Sequence, residues 1–367
     1  MKYLSIIEQG SLLGLTLKEY LRMKNIKDLT LKDIEQWLTA LGEKPYKALQ
    51  VFVGVFNSGI SSFDDMTDLS KELREKLKET FSISRPKILA QEKSQDGTQK
   101  LLLELEDKNC IECVLIPEEE RLTLCISSQV GCPLDCGFCM TGKGGFVRNL
   151  TLSEMVDQVF AARTLLSANQ KITNLVLMGM GEPLLNYDEV IKFLNIATHQ
   201  KGLGFAPKRV TVSTYGIAPI IERLGKETRV NLAISLNATT DEVRSHLMPI
   251  NKKYPLQILL DACRKYPAVR NRHITFEYIL IQGINDTVED AKRLVRLLKG
   301  IKCKINLIPF NPFPGAEFKK PSDKAILNFQ KVLLDNNYVV IIRTSKGQDI
   351  SAACGQLRGK LSTMVQR

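Results

Sequence analysis

Along the first ninety residues apolar positions recur at spacings of three and four, as in Leu31-Lys32-Asp33-Ile34-Glu35-Gln36-Trp37-Leu38 and Asp68-Leu69-Ser70-Lys71-Glu72-Leu73-Arg74-Glu75-Lys76-Leu77. That period belongs to amphipathic helices, so 1–90 reads as a small helical module. Two strands are expected next, near 100–106 and 110–116, joined by the turn former Asp107-Lys108-Asn109 within a 91–120 linker and hairpin. From about 121 the pattern becomes strand, loop, helix, repeated. Short apolar runs fall near 122–127, 174–178, 209–213, 230–236, 273–280 and 303–309. Helical stretches fall near 153–166, 187–199, 239–247 with 256–264, and 287–298, with Ser153 and Thr287 suited as N-caps. A helix near 322–334, a strand near 338–343 and a glycine-bearing tail over 346–367 complete the chain. Six βα units over 121–345 predict an α/β domain with a parallel sheet, curved into a partial (βα)6 barrel or left open and doubly wound. In both, ligands gather at the carboxyl ends of the strands.

Composition adds exclusions. With 367 residues, 44% hydrophobic and 25% charged, the chain has globular proportions and room for one large domain and one small one, which excludes disorder, collagen and coiled coil. No apolar run approaches the roughly 18 residues of a membrane span, and Glu8 interrupts the start before a signal-peptide core develops, so a cytoplasmic protein is expected. The net charge is +11, of which 1–90 carries +2 (14 Lys and Arg against 12 Asp and Glu), leaving +9 in the remainder. This excess favours polyanionic partners such as nucleic acid without choosing one.

Nine cysteines, an odd number, in a chain too large to need disulfide staples are expected to be reduced. Three of them crowd into Cys132-Pro133-Leu134-Asp135-Cys136-Gly137-Phe138-Cys139, directly after the first run of the repeated pattern. Zinc sites usually draw four ligands from paired knuckles, and only three histidines exist here. Three thiolates on one loop fit a [4Fe–4S] cluster that leaves one iron open to substrate. That vacancy suits the amino and carboxylate groups of S-adenosylmethionine (SAM). A second loop, Gly179-Met180-Gly181-Glu182-Pro183, follows the next strand; its glycines admit a small ligand, and Glu182 can accept from a methionyl ammonium. Cys110 and Cys113 imitate a redox motif, yet three residues apart on a strand they face opposite ways, and no function is assigned to them. The lone Trp37 reads as core rather than as a base-stacking platform.

The cysteine triad, Gly179 to Pro183, Asn311-Pro312-Phe313-Pro314-Gly315 and Ala352-Ala353-Cys354-Gly355-Gln356 together resemble the radical-SAM adenine-C2 methyltransferases of ribosomal and transfer RNA (RlmN type). The resemblance extends into the helical module through Gly42-Glu43-Lys44-Pro45-Tyr46 and Phe63-Asp64-Asp65-Met66-Thr67. It implies a radical-SAM partial barrel with an N-terminal RNA-binding accessory domain and a hairpin extension. Cys132, Cys136 and Cys139 would hold the cluster, and Gly181, Glu182, Ser213, Ser235, Leu236, Asn237 and Asn311 would contact SAM. At 237 the pattern usually has histidine, a change that a backbone contact survives.

The resemblance also implies a mechanism. One SAM methylates the Cys354 thiolate, and a second, cleaved by one electron from the cluster, yields a radical that removes hydrogen from the S-methyl group. The carbon radical adds to adenine C2, Glu112 takes the C2 proton, and Cys125 attacks Cys354 to release product with a disulfide. Cys354 is expected on a mobile loop of small residues. The implied partners are 23S rRNA, tRNA and an unidentified, flavodoxin-like one-electron donor; no membrane is involved and the protein is expected to be a monomer. Two other readings compete: C8 methylation of the same ribosomal adenosine, and a non-catalytic iron–sulfur or zinc RNA-binding protein.

Overall fold

The computed structural model describes residues 24–267, 273–313 and 315–359, so the chain start and Pro314 lie outside the described residues. The chain divides into two compact units, one ending at Ser84 and the other beginning at Arg85.

In the first unit β1 (Lys24–Asn25) pairs in parallel with β2 (Phe81–Ser82), joining the two ends of the module. Between them run α1 (Leu31–Ala40), α2 (Tyr46–Phe52) and α3 (Lys71–Thr80). Thr30 starts α1 with a reciprocal cap: its hydroxyl accepts from the Asp33 N–H, and Asp33 accepts from the Thr30 N–H at 2.8 Å. Ile34, Leu38, Val51, Phe52, Leu73 and Leu77 make the core. Trp37, half-buried rather than in the core, packs edge-on against Phe81 at 5.0 Å.

The second unit is built on a ten-stranded sheet. Its strands are β3 (Lys87–Lys93), β4 (Gln99–Glu104), β5 (Cys110–Glu118), β6 (Arg121–Cys125), β9 (Asn174–Leu177), β10 (Val210–Thr214), β11 (Asn231–Ser235), β12 (Ile274–Leu280), β13 (Cys303–Pro309) and β14 (Val339–Ile342). From β6 through β9 to β14 every pair is parallel, whereas β3 to β6 form an antiparallel meander. The hairpin extension is therefore continuous with the barrel sheet through β5 and β6. It also has a third strand, β3, whose mixed polar sequence sits on the sheet edge and carries little apolar signal. The parallel strands read as apolar runs because both faces are covered: Leu124, Leu175, Leu177, Val212, Ile234, Phe276 and Leu307 are all buried.

The crossover helices are α5 (Leu152–Arg163), α6 (Tyr187–Thr198), α7 (Ala218–Glu227), α8 (Asp241–Leu247), α9 (Leu256–Lys265), α10 (Val288–Leu298) and α11 (Asp323–Asp335). Thr287 caps α10 as expected, with Asp290 completing the box. The cap of α5 is Thr151 instead of Ser153; Thr151 accepts from the Glu154 N–H, and Ser153 lies inside the first turn. A short pair, β7 (Gln129–Gly131) with β8 (Phe146–Asn149), flanks α4 (Met140–Lys143) and closes the cysteine loop. Among the described residues no helix is long and apolar enough to cross a membrane.

Candidate active site

At the carboxyl ends of the parallel strands lies a cavity of about 440 Å³. Residues from successive strand ends meet there: Cys125 at the end of β6, Gly179 and Gly181 after β9, Ser213, Ser235 and Asn237, then Asn311, with Cys139 and Cys354 closing it. Strand ends this far apart in the sheet share one space because the sheet curls around it.

The cysteine loop is braced by its backbone. Cys132 N donates to Gly145 O at 2.8 Å, Cys139 N to Cys136 O and Gly137 N to Leu247 O, both at 3.0 Å. Gly131 has φ +74, and a Cβ there would lie 2.0 Å from Gly145 O, so only glycine fits. The three thiols are buried in one apolar cluster with Leu134, Phe138, Leu247, Met248, Ile281 and Phe310. Burial pushes the Cys132 thiol up to about 12, and burial followed by the charges of Cys139 and Cys132 raises Cys136. Three mutually repelling thiols become thiolates in such a place when a cationic, thiophilic centre compensates them. Among the described residues no three such ligands converge closely enough for a single ion, whereas the cysteines of a cubane each bind a different iron. The residues fit the cluster. Behind them Arg244, fully buried, donates to the carbonyls of Tyr215 (2.8 Å), Leu236 (3.1 Å) and Ser235 (3.3 Å), fixing the loops that line the cavity.

Gly179 and Gly181 sit against the exit of β6. A Cβ on Gly179 would meet Ile126 backbone at 2.7 Å, and one on Gly181 (φ +101) would meet Gln129 at 2.6 Å. Glu182 is fully buried, and its oxygens accept from the N–H groups of Leu184 (2.9 Å) and Tyr215 (2.7 Å). Burial raises its carboxyl to about 7 against those bonds. Glu182 thus ties two loops together, and the glycine backbones face the cavity. Asn237 adopts φ 59, which asparagine tolerates. Its Oδ1 accepts from Ile279 N at 2.9 Å and its Nδ2 donates to Met248 Sδ, so this side chain staples β11 to its surroundings. Leu236 is buried beside it. Asn311 donates to Cys354 O at 3.3 Å and accepts from Gln348 at 2.9 Å, holding the tail.

Through Gly359 the tail that carries Cys354 is tied to its surroundings by hydrogen bonds, where the sequence suggests a mobile loop. Gly347 N donates to Asp96 at 2.9 Å, Ser94 donates to Asp349 at 2.6 Å, and Met140 N donates to Gly355 O at 2.7 Å. The small residues serve close packing: a Cβ on Gly347 would lie 2.8 Å from that of Ala352. Cys354 is exposed to the cavity, Cys125 is buried in its wall, and both are free thiols. Burial and then the charge of Cys354 push Cys125 up to about 12. Glu112 stands apart from the cavity lining. Its Oε2 accepts from Arg358 N (2.6 Å) and Gly359 N (2.9 Å), and Lys100 lies 3.2 Å from its Oε1. Lys100, which also donates to Ile350 O at 2.7 Å, has no recognisable signal in the sequence.

Residues 24–83 match the ribosomal RNA large subunit methyltransferase N-terminal domain, and residues 126–298 match the radical SAM superfamily. The chain is 53% identical over 342 residues to the dual-specificity RNA methyltransferase RlmN of Geobacter sulfurreducens, covering 93% of this chain and 94% of that one. This chain belongs to the RlmN family. The RlmN of Desulfosudis oleivorans is 54% identical over 344 residues, 94% of this chain and 93% of that one. Among solved structures, a radical SAM methyltransferase from Sphaerobacter thermophilus is 43% identical, covers 92% of this chain and 100% of that one, and superposes with a TM-score of 0.86. As a radical SAM protein of the RlmN family, the chain uses a [4Fe–4S] cluster and SAM, and its cysteine triad falls inside the matched region.

Proposed function

We propose that this RlmN-family chain methylates C2 of adenosine in 23S rRNA and in tRNA beside the anticodon, with Cys354 as the group that carries the methyl. The observation that supports this most directly is the meeting of Cys125, Cys139 and Cys354 with the strand ends at Ser213, Ser235 and Asn311 in one cavity. Adenine C2 is an electron-poor carbon that displaces no methyl from SAM directly. Cys132, Cys136 and Cys139 would hold the cluster, which would supply the single electron that radical cleavage of SAM requires. The Gly179–Gly181 backbone, Ser213, Ser235, Leu236, Asn237 and Asn311 hold SAM against it, and Glu182 keeps two of those loops in register.

Cys354 faces the cavity and takes the first methyl as a thiolate. After that methyl has lost a hydrogen atom and its carbon has bonded to C2, the adduct gives back the one electron that started the radical and Glu112 removes the C2 proton; since Arg358 and Gly359 occupy that carboxylate in the closed tail, the tail must shift for this step. The Cys125 thiolate then attacks the Cys354 sulfur; the S–CH2 bond breaks, its electron pair passes to the methylene carbon, which takes up a proton to become the methyl on C2, and a transient Cys125–Cys354 disulfide remains. The basic excess of the larger unit serves RNA binding, the electron comes from a flavodoxin-like donor, and the enzyme works as a cytoplasmic monomer.

Denaturing gels after anaerobic turnover test the roles. Cys125→Ala and Glu112→Ala should leave RNA covalently attached to protein, because release fails after addition, whereas Cys354→Ala should form no adduct. An adduct on Cys354→Ala, or full activity of Cys125→Ala without trapped RNA, contradicts the assignment.

A further inference from the structure

Glu277 is a buried carboxylate on β12 that none of these steps uses. It is 5% exposed and lines the cavity. Register pairs it with Ser235 on one side and Asn306 on the other, and side chains paired in this way across parallel strands point to the same face. Asn306 donates to its Oε1 at 2.9 Å, but among the described residues Oε2 has no hydrogen-bond partner. A buried acceptor left without a donor is strongly disfavoured, so an orphan at a cavity wall marks the place where a ligand's N–H or O–H belongs. Burial raises this carboxyl above the ordinary carboxylate range, and the nearby Arg343, which also lines the cavity, works against that rise.

We propose that Glu277 is a nucleoside-binding residue, its Oε2 accepting a hydrogen bond from the exocyclic amine or a ribose hydroxyl of an adenosine. This rests on the function proposed above, in which both occupants of the cavity, SAM and the target nucleotide, are adenosines. Glu277→Gln is the informative change, because it keeps shape and the Asn306 contact while placing a donor where the orphan acceptor stands.

Full-length protein, wild type and Glu277→Gln, is compared in two binding arms, with iron content and thermal melting as controls of folding. The first measures SAM affinity anaerobically. The second measures preference for an RNA stem-loop carrying adenosine at the target over the same RNA carrying purine riboside or 2′-deoxyadenosine there. Loss of a hydrogen bond to a charged group should weaken SAM binding, or erode the RNA preference, by about 10- to 100-fold, and the arm that moves names the adenosine held. If Glu277→Gln fails to fold, Glu277→Asp carries the test: its acceptor, set back by one methylene, should give a smaller loss in one arm. A folded variant equal to wild type in both arms overturns the proposal. Wild-type protein that binds neither SAM nor adenosine RNA overturns the functional reading itself.

Discussion

Replacing Lys100 with methionine removes the cation beside Glu112 and keeps the length of the aliphatic stem. The Lys100 side chain is 5% exposed and that of Glu112 2%, with 3.2 Å between charges; Glu92 lies at 3.5 Å. At an effective dielectric of about 20, a contact of this length is worth about 5 kcal/mol before desolvation, and removing one partner of a buried pair typically costs about 3–5 kcal/mol. Two peptide N–H groups still serve Glu112, which places the expected loss near the lower end, about 3 kcal/mol. For a unit of this size that corresponds to a fall in Tm of roughly 5 °C. Calorimetry of wild type, Lys100→Met, Glu112→Gln and the double variant provides the cycle. The double variant should recover part of the loss, because glutamine no longer buries an unpaired charge. A Tm change below about 1 °C for Lys100→Met refutes the claim that this pair anchors Glu112.

Alanine at Cys132, Cys136 or Cys139 should abolish retention of iron and sulfide after anaerobic reconstitution, since a three-thiolate cluster has no spare ligand; full iron content in any of the three contradicts the site. RNA affinity should fall linearly on a log–log plot against salt as phosphate contacts release counterions, and a flat line would show that the basic excess does not face RNA. For Asp96, burial works to raise the carboxyl, but hydrogen bonds from Thr98 and Gly347 outweigh it and hold it at about 2 against an ordinary 3.8. Its hold on the tail is therefore fully present above pH 3.8 and lost as pH falls through 2. Hydrogen exchange at Gly347, corrected for intrinsic rate, should lose protection over that range and be weakened at pH 7 in Asp96→Asn; protection indifferent to both contradicts the anchor.

The parallel strands were legible because each is a short apolar run between turn formers, and burial on both faces enforces that pattern. The cysteine loop was legible because its ligands lie within eight residues. What escaped depends on distant partners. Lys100 reads as one more strand lysine until the fold brings Ile350 and Glu112 to its ammonium. Glu182 reads as a ligand carboxylate, yet the turn after β10 supplies Tyr215 N–H to it. The small residues around Cys354 suggest mobility, whereas their size allows the tail to lie flat against Asp96 and the cysteine loop. The orphan oxygen of Glu277 follows from the register of β12 with β13, which periodicity along one strand does not specify.

The central claim is that this chain exchanges the C2 hydrogen of an adenosine for a methyl carried on Cys354. Reconstituted protein is incubated anaerobically with SAM, a reductant and an RNA whose target adenosine bears deuterium at C2, and the digested RNA is read by mass spectrometry against 2-methyl- and 8-methyladenosine standards. The account predicts 2-methyladenosine with the deuterium lost. Methyladenosine that retains the C2 deuterium, as 8-methyladenosine would, contradicts it.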